Sequence, residues 1–393
     1  MSRVGVVFGS RSVEHEVSVI TAQQVMAALP PAHTAVPIYI AKDGRWWTGT
    51  ALRELSRFGD VDALLRDCTQ VQPVLDAVAG TLGLFPAGGE RRALFGRGPA
   101  AATLSADVAM PLVHGSFGED GTLQGLLEMG NVPYTGSGVA ASAVAMDKRL
   151  AKSVLRPAGL PVLDDVEVRR DEWRHDAVAA VRRAEGLAPY PLFVKPVTLG
   201  SSIGVSRAAD DGQLRDALEL ALTFDDRCLV EAAQDGIVEV NCAVIGDGAD
   251  ARPSLLEQPA SGGVLTYDDK YRAKSGKSAG MKSARRLIPA PLDGGLTERL
   301  QAAAVSAFAA VGAAGVARVD LMVRPDSGDF VVNEVNPIPG SLAFYLFEPA
   351  GVSFGALLDE MIAIAMRRSE RRRGSTLTFD RWMLEGGPAK SPA

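Results

Sequence analysis

Two apolar runs, at 316–323 and 330–336, flank the turn sequence Arg324-Pro325-Asp326-Ser327-Gly328-Asp329, and each carries charged or amide side chains in its interior. Pro, Asp and Gly between two such runs predict a β-hairpin. Side chains alternate faces along a strand, so Arg318 and Asp320 share one face of the first strand, as Glu334 and Asn336 do on the second. With the turn centred near Ser327, Asp320 stands opposite Glu334 and Arg318 opposite Asn336. Two carboxylates about 5 Å apart across a sheet repel each other. Strands otherwise so apolar carry them if a cation lies between them, or if one acid stays protonated. The oxygen-only set of Asp320, Glu334 and Asn336 suits Mg2+ or Mn2+ better than zinc. The competing reading is a solvated sheet face on which Arg318 neutralises the acids.

At 393 residues the chain exceeds one typical domain, so two or three modules are expected. A net charge of −6 argues against a nucleic-acid partner, which selects for a basic excess. Cys68, Cys228 and Cys242 offer neither a disulfide framework nor metal-ligand spacing, which predicts a reducing, cytoplasmic setting. The apolar run at 4–8 is too short for a signal segment. The longest apolar stretch, 302–317, falls short of the roughly 20 residues that span a bilayer and reads as a packed helix, so no membrane partner is expected.

Along the chain, a buried strand at 4–8, a helix at 18–29 stopped by Pro30-Pro31, and a strand at 35–40 with a turn at 42–44 predict an α/β module. Residues 77–102, rich in Ala, Gly and Pro, read as a weakly structured excursion. A further buried strand is expected at 108–113. A helix starts near Met146-Asp147-Lys148 and breaks between Pro157 and Pro161. Strands are predicted at 192–195, 203–206, 228–231 and 239–245, with a helix at 297–313 before the hairpin. The boundaries that follow are 1–146, 147–232, 233–375 and a polar tail at 376–393.

Three further segments carry polar chemistry. Gly200-Ser201-Ser202-Ile203-Gly204 lies between two strands with Lys195 at the end of the first. Glycine backbone, hydroxyls and a lysine suit a phosphate, although an ordinary hairpin turn has the same composition. The stretch 261–286 holds Lys270, Arg272, Lys274, Lys277, Lys282, Arg285 and Arg286 against Asp268 and Asp269, a surplus of five positive charges within an acidic protein. That suits a lid over a polyphosphate, or a solvated charge run. Glu14-His15-Glu16 and His114 to Gly121 each follow a predicted strand, where α/β folds bind ligands; helix capping is the alternative, and for His114 alone a structural hydrogen bond.

Read together, the segments SVEHEVS (12–18), HGSFGEDGTLQGLLE (114–128), PYTGSG (133–138), MDK (146–148), VKP (194–196), GSSIGV (200–205), YDDKY (267–271), ARVDLMV (317–323) and NEVNPIPGS (333–341) resemble the D-alanine–D-alanine ligases, ATP-grasp carboxylate–amine ligases, over nearly the whole chain. The resemblance implies an α/β (α+β) ATP-grasp fold, in which an N-terminal α/β domain precedes two domains that clamp ATP. It implies phosphorylation of one amino acid's carboxylate by ATP, then attack by the amine of a second. It implies that Glu14 holds the first ammonium in a hydrogen-bonded set with Ser201 and Tyr271. Lys148, Lys195 and Ser202 would contact phosphates, Lys270 the γ-phosphate, and Glu231 and Glu239 adenine and ribose. Two Mg2+ (or Mn2+) ions would sit on Asp320, Glu334 and Asn336, while Arg318 and the Gly340 N–H would stabilise the oxyanion. The partners implied are small amino acids and, as a family expectation, a second copy of the chain in a homodimer. Tyr345 departs from the family pattern. A small hydroxyl residue, usually Ser, stands there in typical members and binds the second carboxylate, so the pocket of Tyr345 and Leu346 is the divergent part. Lys270-Tyr271 is the pair of dipeptide-forming members. The alternatives are a related ligase with another second substrate and a nucleotide-binding regulator without turnover.

Overall fold

The computed structural model describes residues 2–87, 104–259 and 286–376. It is a mixed α/β structure built on three sheets. The first has seven strands: β1 (Ser2–Gly9), β2 (His33–Ile40), β3 (Trp46–Thr48), β4 (Thr69–Asp76), β5 (Thr81–Pro86), β6 (Leu104–Ala106) and β7 (Val108–Pro111), in the order β6-β5-β4-β3-β2-β1-β7. Here β1 pairs in parallel with both β2 and β7. The helix His15–Ala28 makes the crossover from β1 to β2, as the strand–helix–strand pattern predicts. The apolar runs 4–8 of β1 and 108–111 of β7 are buried and the strands are parallel, so the loops beyond their carboxyl ends, at Glu14 and His114, come together, with Ser12 Oγ donating to the His114 carbonyl.

The second sheet comprises β8 (Asp165–Arg169), β9 (Leu192–Pro196), β10 (Ser206–Ala208) and β11 (Arg227–Ala232) in the order β10-β9-β11-β8. The third comprises β12 (Val238–Asp247), β13 (Arg252–Pro259), β14 (Arg286–Leu287), β15 (Ala314–Val323) and β16 (Phe330–Asn336), in the order β14-β13-β12-β15-β16. Helix starts follow sequence signals: Asp147, Asp210, Asp293 and Ser353 each accept a backbone N–H of the first turn. The helix Phe354–Arg373 buries Leu357, Leu358, Met361 and Ile362 in one core with Val4, Val6 and Phe8 of β1, which ties the end of the described chain to its beginning. No single helix among the described residues is long and apolar enough to cross a membrane.

Three expectations are corrected. Part of the supposed excursion at 77–102 is ordered: β5 pairs antiparallel with β4 through a turn in which Asp76 Oδ1 accepts the N–H groups of Val78 and Ala79, and the rest of it, from 88, lies outside the described residues. Alternating Leu82 and Leu84 supply its buried face, a signal that the surrounding Ala and Gly dilute. The apolar stretch at 302–317 is not one helix, because the helix Gly294–Ala310 stops there, Gly312 turns at φ 71°, and β15 begins at Ala314. Finally, the strand placed at 203–206 begins only at Ser206, since Ser201, Ser202 and Gly204 hold positive φ in the loop before it.

Candidate active site

The hairpin has the register that alternation predicts. Asp320 pairs with Glu334 and Arg318 with Asn336, and the pairing slips by one residue immediately after Asp320. That bulge leaves Asn333 as the extra residue of β16, so that Asn333 and Glu334, adjacent in sequence, both line one cleft. Arg318 donates from Nε and Nη2 to the two oxygens of Asp320, both at 2.6 Å, and Asn336 Nδ2 donates to Asp320 Oδ2 at 3.1 Å. Asp320 is 1% exposed. The guanidinium therefore neutralises Asp320, as the competing reading held, but the pair is buried and not solvated. Burial lowers the Arg318 pKa, yet the Asp320 carboxylate outweighs it, so the cation stays charged.

The row continues across the sheet. Asn241 of β12 lies between Asp320 and Glu257, pairing with both, so Glu257, Asn241, Asp320 and Glu334 line up on one face of four adjacent strands. Glu257 and Asn241 escaped the sequence reading, because this juxtaposition depends on strand pairings that no local pattern specifies.

Glu334 opens onto a cleft of about 360 Å3 between the second and third sheets. Among the residues lining it are Lys148, Lys195, Ser202, Glu231 and Glu239, all singled out from the sequence, together with apolar Phe193, Ile237 and Met322. Apolar walls with convergent cations suit a flat ring attached to phosphates. Lys195 Nζ lies 2.6 Å from Glu231 Oε2 and donates to Asn333 Oδ1 at 3.3 Å. Lys152, one helical turn after Lys148 and overlooked in the sequence, is bonded to the other oxygen of Glu231 and, at 3.2 Å, to Asp165. The two lysines hold the fully buried Glu231 carboxylate below the usual range against the opposing effect of burial. Burial depresses the Lys148 pKa, opposed by the Glu334 charge, and its ammonium donates to the Leu199 carbonyl.

Glu14 precedes the first turn of the helix His15–Ala28 but its side chain makes no capping bond, which removes the alternative raised for it. Its carboxylate accepts the Ser201 hydroxyl, joining the first sheet's loops to the loop between β9 and β10. The fit is close, since a Cβ on Gly115 would lie 2.7 Å from Glu14 Oε2 and one on Gly200 3.2 Å from it. Glu119 accepts N–H groups of Gly115 (3.0 Å) and Ile338 (3.1 Å), and burial together with the Glu14 charge raises its pKa well above the carboxylate range.

His114 takes a structural role. Its Nε2 lies 3.0 Å from Thr21 Oγ1, and burial pushes its pKa down to about 4. The unfolded chain then binds a proton between about pH 6.5 and 4 that the folded one refuses, so stability falls as pH falls through that window, by roughly 3 kcal/mol in all. We expect His114→Gln to shrink the drop in melting temperature between pH 7 and pH 4.5; an unchanged drop would refute the assignment.

Gly340 opens the turn Gly340–Leu346, in which Ser341, Leu342 and Ala343 all hold left-handed φ near 50°. Tyr345 and Leu346 close it, both buried. The Tyr345 hydroxyl donates to Glu257 Oε2 at 3.2 Å, and burial with the Glu257 charge keeps the phenol protonated. It therefore meets a carboxylate of the protein itself. Lys270 and Tyr271 lie outside the described residues, as does all of the basic stretch except Arg286.

Family models described as D-ala D-ala ligase N-terminus and C-terminus match residues 3–137 and 154–363. A D-alanine–D-alanine ligase of Chloroherpeton thalassium is 36% identical over 94% of this chain and 98% of its own, and one of Kineococcus radiotolerans 38% identical over 93% and 97%. Among solved structures, the D-alanine-D-alanine ligase of Coxiella burnetii superposes with a TM-score of 0.78 at 29% identity, covering 95% of this chain and 96% of the other. The VanG D-Ala:D-Ser ligase of Enterococcus faecalis does so with a TM-score of 0.75 at 30% identity, covering 93% and 99%.

Proposed function

The chain belongs to the D-alanine–D-alanine ligase family, and from that premise we propose that it is an ADP-forming carbon–nitrogen ligase that joins two D-alanine molecules for peptidoglycan precursor synthesis. The observation that carries the reading is the position of Glu334, which both lines the cleft and faces Asp320 across the hairpin.

In this reading ATP occupies the cleft, with its base against Phe193, Ile237 and Met322 and its ribose at Glu239. Glu231 fixes Lys195, and a carboxylate oxygen that already accepts one hydrogen bond can accept the adenine amino group as a second. Lys148, Lys195, Ser202 and, from the loop outside the described residues, Lys270 meet the phosphates. Glu14, with Ser201 and Tyr271, receives the ammonium of the first D-alanine. Asp320, Glu334 and Asn336 form a hard-oxygen set, the donor chemistry that suits Mg2+ or Mn2+, and two ions there would neutralise phosphate charge during transfer. Arg318 spends two of its five N–H donors on Asp320, which leaves three for the oxyanion formed beside the Gly340 N–H. The carboxylate oxygen of the first D-alanine takes the γ-phosphoryl group and ADP departs. The amine of the second bonds to the carbonyl carbon, the carbon–oxygen bond to phosphate breaks, and phosphate leaves with a proton released from nitrogen.

The segments 1–146, 147–232 and 233–375 would be the amino-acid-binding domain and the two halves of the ATP clamp. Cys68, Cys228 and Cys242 are all unpaired thiols, which supports the cytoplasm as its location. The test is phosphate release from Mg-ATP with D-alanine alone, L-alanine as control, and mass spectrometry for the dipeptide. Dialanine formed from D-alanine only is the expected result. Tyr345 favours one second reading, because its hydroxyl is bonded to Glu257; turnover only when D-alanine is paired with another amine would establish a ligase of different second substrate. Silence with every pair would leave a nucleotide-binding regulator.

A further inference from the structure

An amino acid that attacks through its α-amine carries a carboxylate two bonds from the nucleophile. Bringing that anion beside an acyl phosphate requires a cation close to the acceptor carbon that is not occupied by nucleotide. Lys148 and Lys195 line the nucleotide cleft, and Arg318 is bound along one edge of its fork, through Nε and Nη2, to Asp320, with its other donors assigned above to the oxyanion. One more buried guanidinium stands on the same face of the third sheet. Arg286 pairs with Pro259, two residues along β13 from Glu257, so it shares the face of the Glu257–Asn241–Asp320–Glu334 row. Its side chain is 8% exposed. The guanidinium carbon sits 4.0 Å from the centre of the Tyr345 ring, and Nε approaches Glu257 Oε1 at 3.3 Å. Among the described residues Nε and Nη1 nevertheless have no hydrogen-bond acceptor. A buried guanidinium with unspent donors costs free energy unless a ligand completes it. The Tyr345 hydroxyl cannot serve as donor to a ligand while it donates to Glu257, whereas its ring holds the planar cation in place.

Resting on the ligase reading above, we propose that Arg286 is the binding residue for the carboxylate of the second amino acid, held ready by the Tyr345 ring and the Glu257 carboxylate. The ligand class is an α-amino acid with a free carboxylate. Lys in this place keeps the charge but loses the planar fork that matches a carboxylate.

The test compares wild type, Arg286→Met and Arg286→Lys in steady-state kinetics over D-alanine concentrations that span both sites. D-alaninamide, which keeps the amine and lacks the carboxylate, serves as an alternative second substrate. We expect Arg286→Met to raise the second-site KM by about tenfold to a hundredfold, the size of a lost charge-assisted hydrogen bond, with the first-site and ATP constants within about twofold. Arg286→Lys falls between, and the gap between wild type and Arg286→Met closes when D-alaninamide is the nucleophile. The inference is overturned if the second-site KM stays within about twofold of wild type, if both D-alanine constants rise together, or if D-alaninamide shows the same loss. Should Arg286→Met fail to fold, the Arg286→Lys split between the two sites decides by the same criteria. A wild-type enzyme that makes no dialanine sinks the activity reading first, and this one with it.

Discussion

Glu334→Gln is expected to cut ligation at least a thousandfold while the protein stays folded. The substitution preserves shape and hydrogen-bonding reach and deletes one negative charge from the wall of the cleft. That charge does two things. It opposes the burial that depresses Lys148, and it faces Asp320 across the hairpin, where Arg318 already compensates one carboxylate. Without it the oxygen set has one formal charge for a divalent ion, and that charge is already shared with a guanidinium. A thousandfold corresponds to about 4 kcal/mol of lost transition-state stabilisation, in the range for removing a preorganised charge from a phosphoryl-transfer site. The checks are phosphate release at saturating ATP and D-alanine, a Mg2+ titration of the residual rate, and a thermal melt. Near-normal turnover would remove the metal assignment, whereas a lost melt would show Glu334 to be structural.

What the sequence disclosed, and what it hid, divides along the distance over which pairing acts. The hairpin of β15 and β16 is local: a Pro-Asp-Ser-Gly turn and two alternating runs suffice to place Asp320 opposite Glu334. The same logic missed the bulge beyond Asp320, because one unpaired residue leaves no mark in the apolar pattern, and the bulge is what brings Asn333 beside Lys195. Glu257 and Asn241 were beyond local reasoning altogether, since β12 must pair with both β13 and β15 before their side chains form a row with Asp320. Lys152 carries no mark in the sequence, because its burial against Glu231 and Asp165 depends on strands far from it in the chain. Arg286 was grouped by composition with a basic loop, yet its register on β14 gives it to the sheet face. Tyr345 stands out in the sequence, but its partner, Glu257, lies 88 residues away in the chain. The family resemblance supplies roles for Glu14 and Ser201, which physics alone leaves open to helix capping at Glu14 and to an ordinary hairpin turn at Ser201. Their mutual hydrogen bond, absent any cap, is the structural fact that supports those roles.

Arg318→Met carries the second large effect, and it separates stability from chemistry. Arg318 and Asp320 are both buried, joined by two bonds of 2.6 Å. Removing the guanidinium leaves the Asp320 carboxylate in the interior with the Asn336 amide beside it and without the cation that binds both its oxygens. Breaking a buried pair from one end costs about 3–5 kcal/mol, because the remaining charge has lost its compensation. The melting temperature should therefore fall by many degrees, and ligation should fall with it, since the oxyanion loses its charged donors. Adding Asp320→Asn to Arg318→Met removes the stranded charge and keeps a side chain of the same shape. We expect the double variant to regain at least half of the lost stability, measured by thermal and denaturant melts, and to regain no activity. Recovery of stability without turnover would show that the pair is tolerated for its chemistry and not for the fold, since apolar residues of equal volume can replace a buried ion pair without loss. Should Arg318→Met melt with the wild type, the carboxylate would have to be compensated from another side, and the buried pair would not be what holds the hairpin's charges together.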